Sequence, residues 1–407
     1  MGTCNRHHFF NFTFSAKLQE VEFTHTQVAR HFRDRFQQDP ILVRSPGRIN
    51  LIGEHTDYNN GFVMPAALDK EVILAAAPSQ TATSKIYSMN FDQHFEIDLQ
   101  NPQPVESPSW ANYILGVARQ FVDRGATLKP FNCIFGGNIP SGSGLSSSAA
   151  LEGGFAFAFR ELNKINISRI DLARIGQWAE HHFVGVQCGI MDQFANMMGK
   201  ENHVIRLDCR SMGYEYFPFQ LNDYTLVLFN SGVKHSLASS EYNTRRSECE
   251  EGVRILMKKF PEVLSLRDAT MTLLEKIKPE LATDVYDRCK YIIEEIDRVK
   301  KAGEDLKHNN LISFGQRMYE THHGLSRRYK VSCDELDYLV SLVENNASVL
   351  GARMMGGGFG GCTINLIQSS AVESVIDSVC LQYKKKYKHD VEVYRVRITN
   401  GTGLIAK

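Results

Sequence analysis

The sequence predicts an α+β protein in two lobes. Three observations carry that prediction. Strand-like and helix-like patterns are mixed from residue 26 to about 210. A mostly helical block follows over 236–345, with charged faces such as EEIDRVKKAGEDLKH. The chain then closes on a strand–helix–strand pattern. Its 407 residues also exceed the roughly 250–300 that a single core serves. We expect a loosely ordered tail over 1–25, an N-terminal lobe over 26–215 and a C-terminal lobe over 216–407, with a soft boundary near 210–220.

The elements follow in order. The stretch 26–37, TQVARHFRDRFQ, puts Val28, Phe32 and Phe36 on one side of a helix. Ile41, Leu42 and Val43 form a short strand, and the RSPGR that follows reads as a turn. Residues 63–77 are apolar strand material, with Pro65 limiting where they pair. Weak alternation over 85–99 suggests antiparallel strands. Tyr113, Val117 and Phe121 recur every four positions, giving a helix over 110–122. A strand over 131–135 leads into a Gly/Ser loop and a helix over 147–162. Next come a helix over 171–183, a short helix opened by 189–193, and strands over 203–207 and 224–229. After the helical block stand a second glycine loop at 354–362, a strand over 363–367, a helix over 371–386 and a last strand over 391–398.

Composition narrows the function. Apolar residues make up 43% and charged residues 23% of the chain, ordinary values for a globular protein. Lys plus Arg equals Asp plus Glu at 46 each, so there is no electrostatic footprint for nucleic acid or an anionic membrane. No apolar run is long enough to span a bilayer, and MGTCNRHHFFNF lacks the apolar core of a signal peptide. Nine scattered cysteines without a C-x-x-C pair suggest reduced thiols in the cytoplasm and no structural zinc. No protein partner is evident, and a monomer is expected.

Three segments carry chemistry. The first is GNIPSGSGLSSSAALE at 137–152: after Pro140 come Gly142, Gly144 and three consecutive serines, 146–148, running into an Ala-rich helix. Gly142 and Gly144 permit backbone angles that a Cβ forbids, and a helix N-terminus behind small residues offers N–H groups and a positive dipole end to phosphate. The stretch is neither a Walker A loop nor a G-x-G-x-x-G dinucleotide loop. The second is GRINLIGEHTDY at 47–58, where Arg48, Glu54, His55 and Asp57 crowd polar groups into ten positions. A solvated turn and a pocket for several sugar hydroxyls are both open on these residues, with metal binding a weaker third. The third is MMGGGFGG at 354–361. Asp192, inside CGIMDQF, is a carboxylate in apolar company, which is costly unless paired. It reads as an N-cap, a buried structural pair, or a functional carboxylate near Arg48. Glu180 reads as an ordinary helix residue.

Together the three segments resemble the three motifs of the GHMP kinases, the superfamily of galactokinase, homoserine kinase and mevalonate kinase. GRINLIGEHTDYNNGFVMPAAL is similar to the galactokinase signature. WANYILGV at 110, CGIMDQF at 188, LDCRS at 207, SSEYNTRRSEC at 239 and MMGGGFGGCTINLI at 354 extend the resemblance collinearly from about 43 to 367.

The resemblance implies a two-lobed GHMP kinase fold with the active site in the cleft between lobes. It implies transfer of the γ-phosphoryl group of ATP to the anomeric hydroxyl of α-D-galactose. By similarity Glu54, His55, Thr56, Asp57, Gly189, Asp192 and Tyr242 contact the sugar. Asp192 is the base or orienting carboxylate, and Arg48 keeps it charged and stabilises the transferring phosphoryl. Gly142, Ser143, Gly144, Leu145, Ser146, Ser147 and Ser148 wrap the ATP phosphates. Ser148 and Glu180 resemble the Mg2+ ligands. Trp110 and Ser88 fall where relatives hold the nucleoside, and the third loop closes over the site. The C-terminal ITNGTGLIAK matches the family only approximately, with Asn and Gly forming a turn near the third loop. Close alternatives are a kinase for N-acetylgalactosamine and a non-catalytic galactose and ATP sensor. The intact Ser146-Ser147-Ser148-Ala149-Ala150 junction favours catalysis, and the complete EHTDYNNG disfavours mevalonate or homoserine kinase.

Overall fold

A computed structural model describes residues 23–140, 142–233 and 238–406. The predicted tail, up to residue 22, and Ser141 of the Gly/Ser loop lie outside the described residues. The elements of the N-terminal half are α1 (His25–Phe36), β1 (Ile41–Asn50), β2 (Phe62–Val63), β3 (Pro65–Pro78), β4 (Ser84–Ser88), β5 (Gln93–Ile97), α2 (Ala111–Asp123), β6 (Phe131–Gly137), α3 (Ser147–Asn163), α4 (Arg169–Ala179), α5 (Met191–Met198), β7 (His203–Asp208) and β8 (Tyr214–Pro218). The rest comprises β9 (Tyr224–Asn230), α6 (Ala238–Lys259), α7 (Met271–Ile277), α8 (Thr283–Lys307), α9 (Leu311–Gly324), α10 (Asp334–Ser341), β10 (Val349–Met354), β11 (Cys362–Gln368), α11 (Val372–Tyr387), β12 (Glu392–Val396) and β13 (Gly403–Leu404).

The first sheet runs β13-β1-β3-β6-β4-β5. Period-two alternation along β3 decides what covers each face. Ile73, Ala75 and Ala77 meet Val28 and Phe32 of α1. Val72, Leu74 and Ala76 face the helical side, in one cluster with Phe155 and Phe159 of α3. Thr24 starts α1 with a reciprocal capping box, its hydroxyl accepting from the Gln27 amide while the Gln27 side chain accepts from Thr24 N. The second sheet, β10-β11-β9-β12, is antiparallel throughout. Val227 and Phe229 face Val375, Val379 and Tyr383 of α11, while Leu226, Leu228, Ile364 and Leu366 face the other way. A third sheet, β2-β7-β8, edges the first half.

That second face of β9 and β11 ties the halves together. Leu226, Leu228, Ile364, Phe314 and Val396 share one buried cluster with Ile49, Leu51, Met64, Ala66 and Leu68 from β1, the residues after it, and β3. The ends of the chain also cross over: Thr399 N donates to Ala67 O at 2.9 Å, and β13 pairs with β1. The expected C-terminal turn packs there, Gly401 N donating to Gly199 O at 2.8 Å, rather than on the third loop.

Two local expectations change. RSPGR is not a turn but the middle of β1, where the register slips between Pro46 and Arg48. Pro46 and Gly47 mark a bulge rather than a chain reversal. VLGARM, not anticipated as a strand, forms β10 and runs into the third loop. Phe314 is fully buried where the halves meet. Phe314→Ala should therefore lower stability by about 3–5 kcal/mol. Denaturant unfolding checks this, and a loss under about 1 kcal/mol would refute the interface role given to that cluster.

Candidate active site

The β1 bulge aims Arg48. A Cβ on Gly47 would lie 2.7 Å from the Leu145 carbonyl, so only glycine allows that approach. The Arg48 amide then donates to Leu145 O at 3.0 Å. The Arg48 side chain, 6% exposed, makes a two-pronged pair with Asp192: Nε to Oδ1 and Nη2 to Oδ2, each 2.7 Å. Its Nη1 donates to Gly144 O. Burial works against the arginine's charge, but Asp192, with help from Glu54 and Asp57, raises its pKa overall. Asp192 sits in the first turn of α5, where a helix favours a carboxylate.

The Gly/Ser loop curls over this pair. Gly142 and Gly144 both have φ 75°, and Ser146, the residue before α3, has φ 59°. No side chain caps α3, and the buried Ser146 Oγ has no hydrogen-bond partner. An uncapped helix start with an unpartnered hydroxyl is a receptive place for phosphate oxygens. Ser143 is turned inward, its hydroxyl donating to Pro140 O at 2.7 Å, and Leu145 anchors the loop in the apolar cluster between the halves. Ser147 is exposed, and among the described loop residues Ser148 alone lines the cavity beside Asp192.

That cavity, of about 150 Å³, joins Arg48, Asp192, Glu54, His55, Asp57, Gly189, Tyr242, Ser148 and Glu180, with Gly356 and Gly357 of the third loop. Glu54 Oε2 accepts from Asn50 Nδ2 at 3.0 Å; Oε1 accepts from Gly356 N at 2.7 Å and lies 2.8 Å from Arg353 Nη2. His55 takes φ 64°, and its Nδ1 meets Tyr58 OH at 2.8 Å, which in turn meets Tyr329 OH at 2.7 Å. Its Nε2 is buried without a hydrogen-bond partner. Burial, opposed by the Gly357 backbone and helped by Arg245 and Arg353, pushes the His55 pKa down to about 3, so the ring is neutral. Gly189 is obligatory here: a Cβ would sit 1.8 Å from Asp57 Oδ2.

Acids dominate the opposite wall. Burial, reinforced by Asp192, raises the Asp57 pKa to about 7. Burial also raises Glu180 to about 7, with Asp192 adding to it and the Ser148 hydroxyl and Arg48 opposing. Glu152, fully buried behind them, is pushed well up and has an unpartnered Oε1. Glu180 occupies the first position of a π turn, Glu180–Val184, that follows α4. A buried carboxylate facing a hydroxyl is a hard-oxygen donor set that fits Mg2+. Among the described residues no three His, Cys, Asp or Glu side chains converge on a metal position. Such a pair therefore suits an ion that takes its other ligands from water and substrate phosphates.

Outside the phosphate loop, three expected site residues do not line this cavity. Thr56 is buried with its hydroxyl on Gly53 O (2.9 Å) and Phe62 O (2.6 Å), so it braces the loop instead of lining the cavity. Trp110 is committed to the core, its indole N–H donating to Gln93 Oε1 at 2.8 Å and its ring edge-on to Phe135. Ser88 pairs with Phe135 of β6; its buried Oγ is unpartnered, and it does not line the cavity. Residues that sequence reasoning missed are Arg353, Asn50, Tyr58 and Tyr329. A basic residue just ahead of the third loop was the only available signal for Arg353.

Comparison with known proteins identifies the family. Residues 30–78 match the galactokinase galactose-binding signature, 112–200 the GHMP kinases N-terminal domain and 302–385 the GHMP kinases C-terminal domain. A galactokinase of Fusobacterium nucleatum is 40% identical over 384 residues, covering 93% of this chain and 99% of that protein. The galactokinase of Thermotoga maritima is 38% identical over 361 residues, covering 89% and 99%. The crystal structure of Lactococcus lactis galactokinase complexed with galactose superposes with a TM-score of 0.90 at 32% identity, covering 93% and 99%. Methanococcus jannaschii mevalonate kinase, at 18% identity and a TM-score of 0.62, shares the fold, over 89% of this chain and all of that one. The chain is thus a GHMP kinase in fold and in sequence. Within that superfamily it belongs to the galactokinase family.

The acid wall has a consequence for stability. Asp57 binds its proton more tightly folded than unfolded, so folded-state stability falls as pH rises from about 4 to about 7. Asp57→Asn removes that loss. Without ligand, the variant should gain on the parent by roughly 2–4 kcal/mol between pH 4.5 and 7.5. Urea titrations at both values test this; a pH-independent difference would refute the burial of the Asp57 charge.

Proposed function

We propose that this chain phosphorylates α-D-galactose at its anomeric hydroxyl, using ATP and yielding galactose 1-phosphate and ADP. The observation that carries the reading is the Arg48–Asp192 pair, set between an uncapped helix start and a small polar cavity. The galactokinase signature over the same strand and loop supports galactose as the sugar.

In this reading the sugar lies against His55, Glu54, Asp57 and Tyr242. Neutral His55 offers its free Nε2 to a hydroxyl, and Glu54 has lone pairs left beyond its three contacts. Protonated Asp57 donates where ionised Asp57 would only accept. Asp192 is about one-quarter exposed and takes the hydrogen bond of the attacking hydroxyl while Arg48 holds both its oxygens in one plane. Arg48 has N–H groups beyond those used on Asp192 and Gly144, and these point its charge at the phosphoryl being transferred. Holding the reactants in line supplies most of the rate, because phosphoryl transfer needs little covalent help from the protein. Ser148 and Glu180 would hold Mg2+, which supplies charge neutralisation to the phosphates when bound. The intact Ser-Ala junction at the head of α3 supports catalysis over sensing alone. A cytoplasmic setting fits the cysteines, none of which is disulfide-bonded among the described residues, and no helix of the described residues is long and apolar enough to cross a membrane.

A coupled ADP-release assay with galactose, N-acetylgalactosamine, glucose and mevalonate tests the reading. Turnover should be greatest with galactose, and its absence would overturn the proposal. Asp192→Asn should lower kcat by about 10²–10⁴-fold while calorimetry still detects sugar binding. A fully active variant would remove Asp192 from catalysis. Glu180→Ala should raise the Mg2+ concentration needed for half-maximal rate, and an unchanged requirement would dismiss it as a ligand.

A further inference from the structure

Behind the catalytic pair lies a buried polar cluster that binds no substrate and that the reading above does not use. Asn196 is on α5, one turn after Asp192, and is 1% exposed. Its Nδ2 donates to Ser45 Oγ at 3.0 Å and to Pro46 O at 2.6 Å. Pro46 O belongs to the β1 bulge, two residues before Arg48. Asn196 Oδ1 accepts from Thr402 Oγ1 at 2.7 Å, and Asn196 O accepts from Thr402 N at 2.8 Å. Ser45 Oγ and Thr402 Oγ1 lie 3.1 Å apart, and both residues are fully buried. Arg169 locks the far side, its Nη1 donating to Met197 O at 2.8 Å and to Thr402 O at 2.6 Å.

The same amide also reaches the phosphate helix. A Cβ on Gly153 of α3 would fall 1.9 Å from Asn196 Oδ1. Asn196 thus touches the bulged strand that bears Arg48, the helix that bears Asp192, the helix that starts at the phosphate loop, and the C-terminal segment. A buried amide with all its hydrogen bonds met has one orientation, and low polarity around it makes a broken contact expensive. Bulges otherwise bend, because they interrupt the ladder.

We propose that Asn196 and Thr402 are positioning residues for phosphoryl transfer: they clamp the β1 bulge to α5 and so set the Arg48–Asp192 geometry. The inference rests on the catalytic role given to that pair. Thr402, from the far end of the chain, closes the clamp by occupying the acceptor side of Asn196 and the hydroxyl of Ser45. A clamp of this kind acts on kcat and leaves substrate affinity alone, since none of its members lines the cavity.

The test compares Thr402→Val, which keeps shape and loses the hydroxyl, with Thr402→Ser, which restores it. Rates are divided by the fraction folded, from circular dichroism at the assay temperature. Thr402→Val should lower kcat by about 10-fold with KM for galactose and ATP within twofold, and Thr402→Ser should recover most of the loss; misplacement of about 1 Å costs up to 10²-fold. Asn196→Asp, which removes the two N–H donors, should show the same kcat-only pattern if it folds. A lower melting temperature with unchanged kcat per folded enzyme would reduce the cluster to a structural role and overturn the proposal, as would equal losses in Thr402→Ser and Thr402→Val. If Asp192→Asn proves fully active, the proposed function of the pair fails; a dead Asp192→Asn beside a fully active Thr402→Val rejects the clamp alone.

Discussion

The buried guanidinium of Arg48 is the constraint on which the rest of the site depends. A charge with so little access to water has to be met by partners in fixed positions. Asp192 supplies two contacts and Gly144 O a third. Those partners come from α5 and from the phosphate loop, so satisfying one side chain fixes three separate segments against each other. Removing Asp192 would leave the arginine's buried charge uncompensated, a cost of about 3–5 kcal/mol. The contact that orients the acceptor carboxylate therefore also holds the loop in place.

A second buried pair does the same between the halves. Arg353, wholly buried on β10, lies 2.8 Å from Glu54 Oε1 and donates through Nη1 to Asn50 O at 2.6 Å. Gly356 N, from the third loop, shares that carboxylate oxygen. The sugar-facing Glu54 is thus held by the strand that leads into the third loop. Packing in the shared apolar cluster brings the halves together, and the hydrogen bonds of Arg353 Nη1 to Asn50 O and of Gly356 N to Glu54 set their register. Apolar contact has no preferred orientation, whereas an ion pair with backbone acceptors does.

The sequence made the helices and the sugar loop legible because their signals are local. Val28, Phe32 and Phe36 show their face directly, and EHTDYNNG is a contiguous motif. RSPGR misled because Pro and Gly signal a bulge and a turn with the same residues; only the neighbouring strand β3 distinguishes them. VLGARM was missed because its alternation is interrupted by Gly351, which sits at a register shift against β11. Thr56, Trp110 and Ser88 stay out of the cavity for a different reason. Resemblance puts a residue near a function, but the direction of its side chain depends on partners such as Phe62 O and Gln93, which are remote in meaning if not in number. Arg353 could not have been paired with Glu54 from sequence, since 299 positions separate them (353 − 54).

The crowd of acids around Asp192 follows from what the site must hold. Asp57, Glu180 and Glu152 all have raised pKa values, each chiefly through burial. A protein selected for stability alone would not bury three carboxylates beside a fourth with one arginine among them. Proteins hold unfavourable charge where a ligand relieves it, and the relief adds to binding. In the proposed reading each acid has its own source of relief. Asp57, its pKa raised to about 7, holds a proton below that pH that can hydrogen-bond a hydroxyl, Glu180 faces a cation with Ser148, and Asp192 is already met by Arg48. The Ser148–Glu180 side and the His55–Tyr242 side are then not two sites placed near each other. They are the cationic and the neutral halves of one electrostatic problem, with the Arg48–Asp192 pair at the boundary between them.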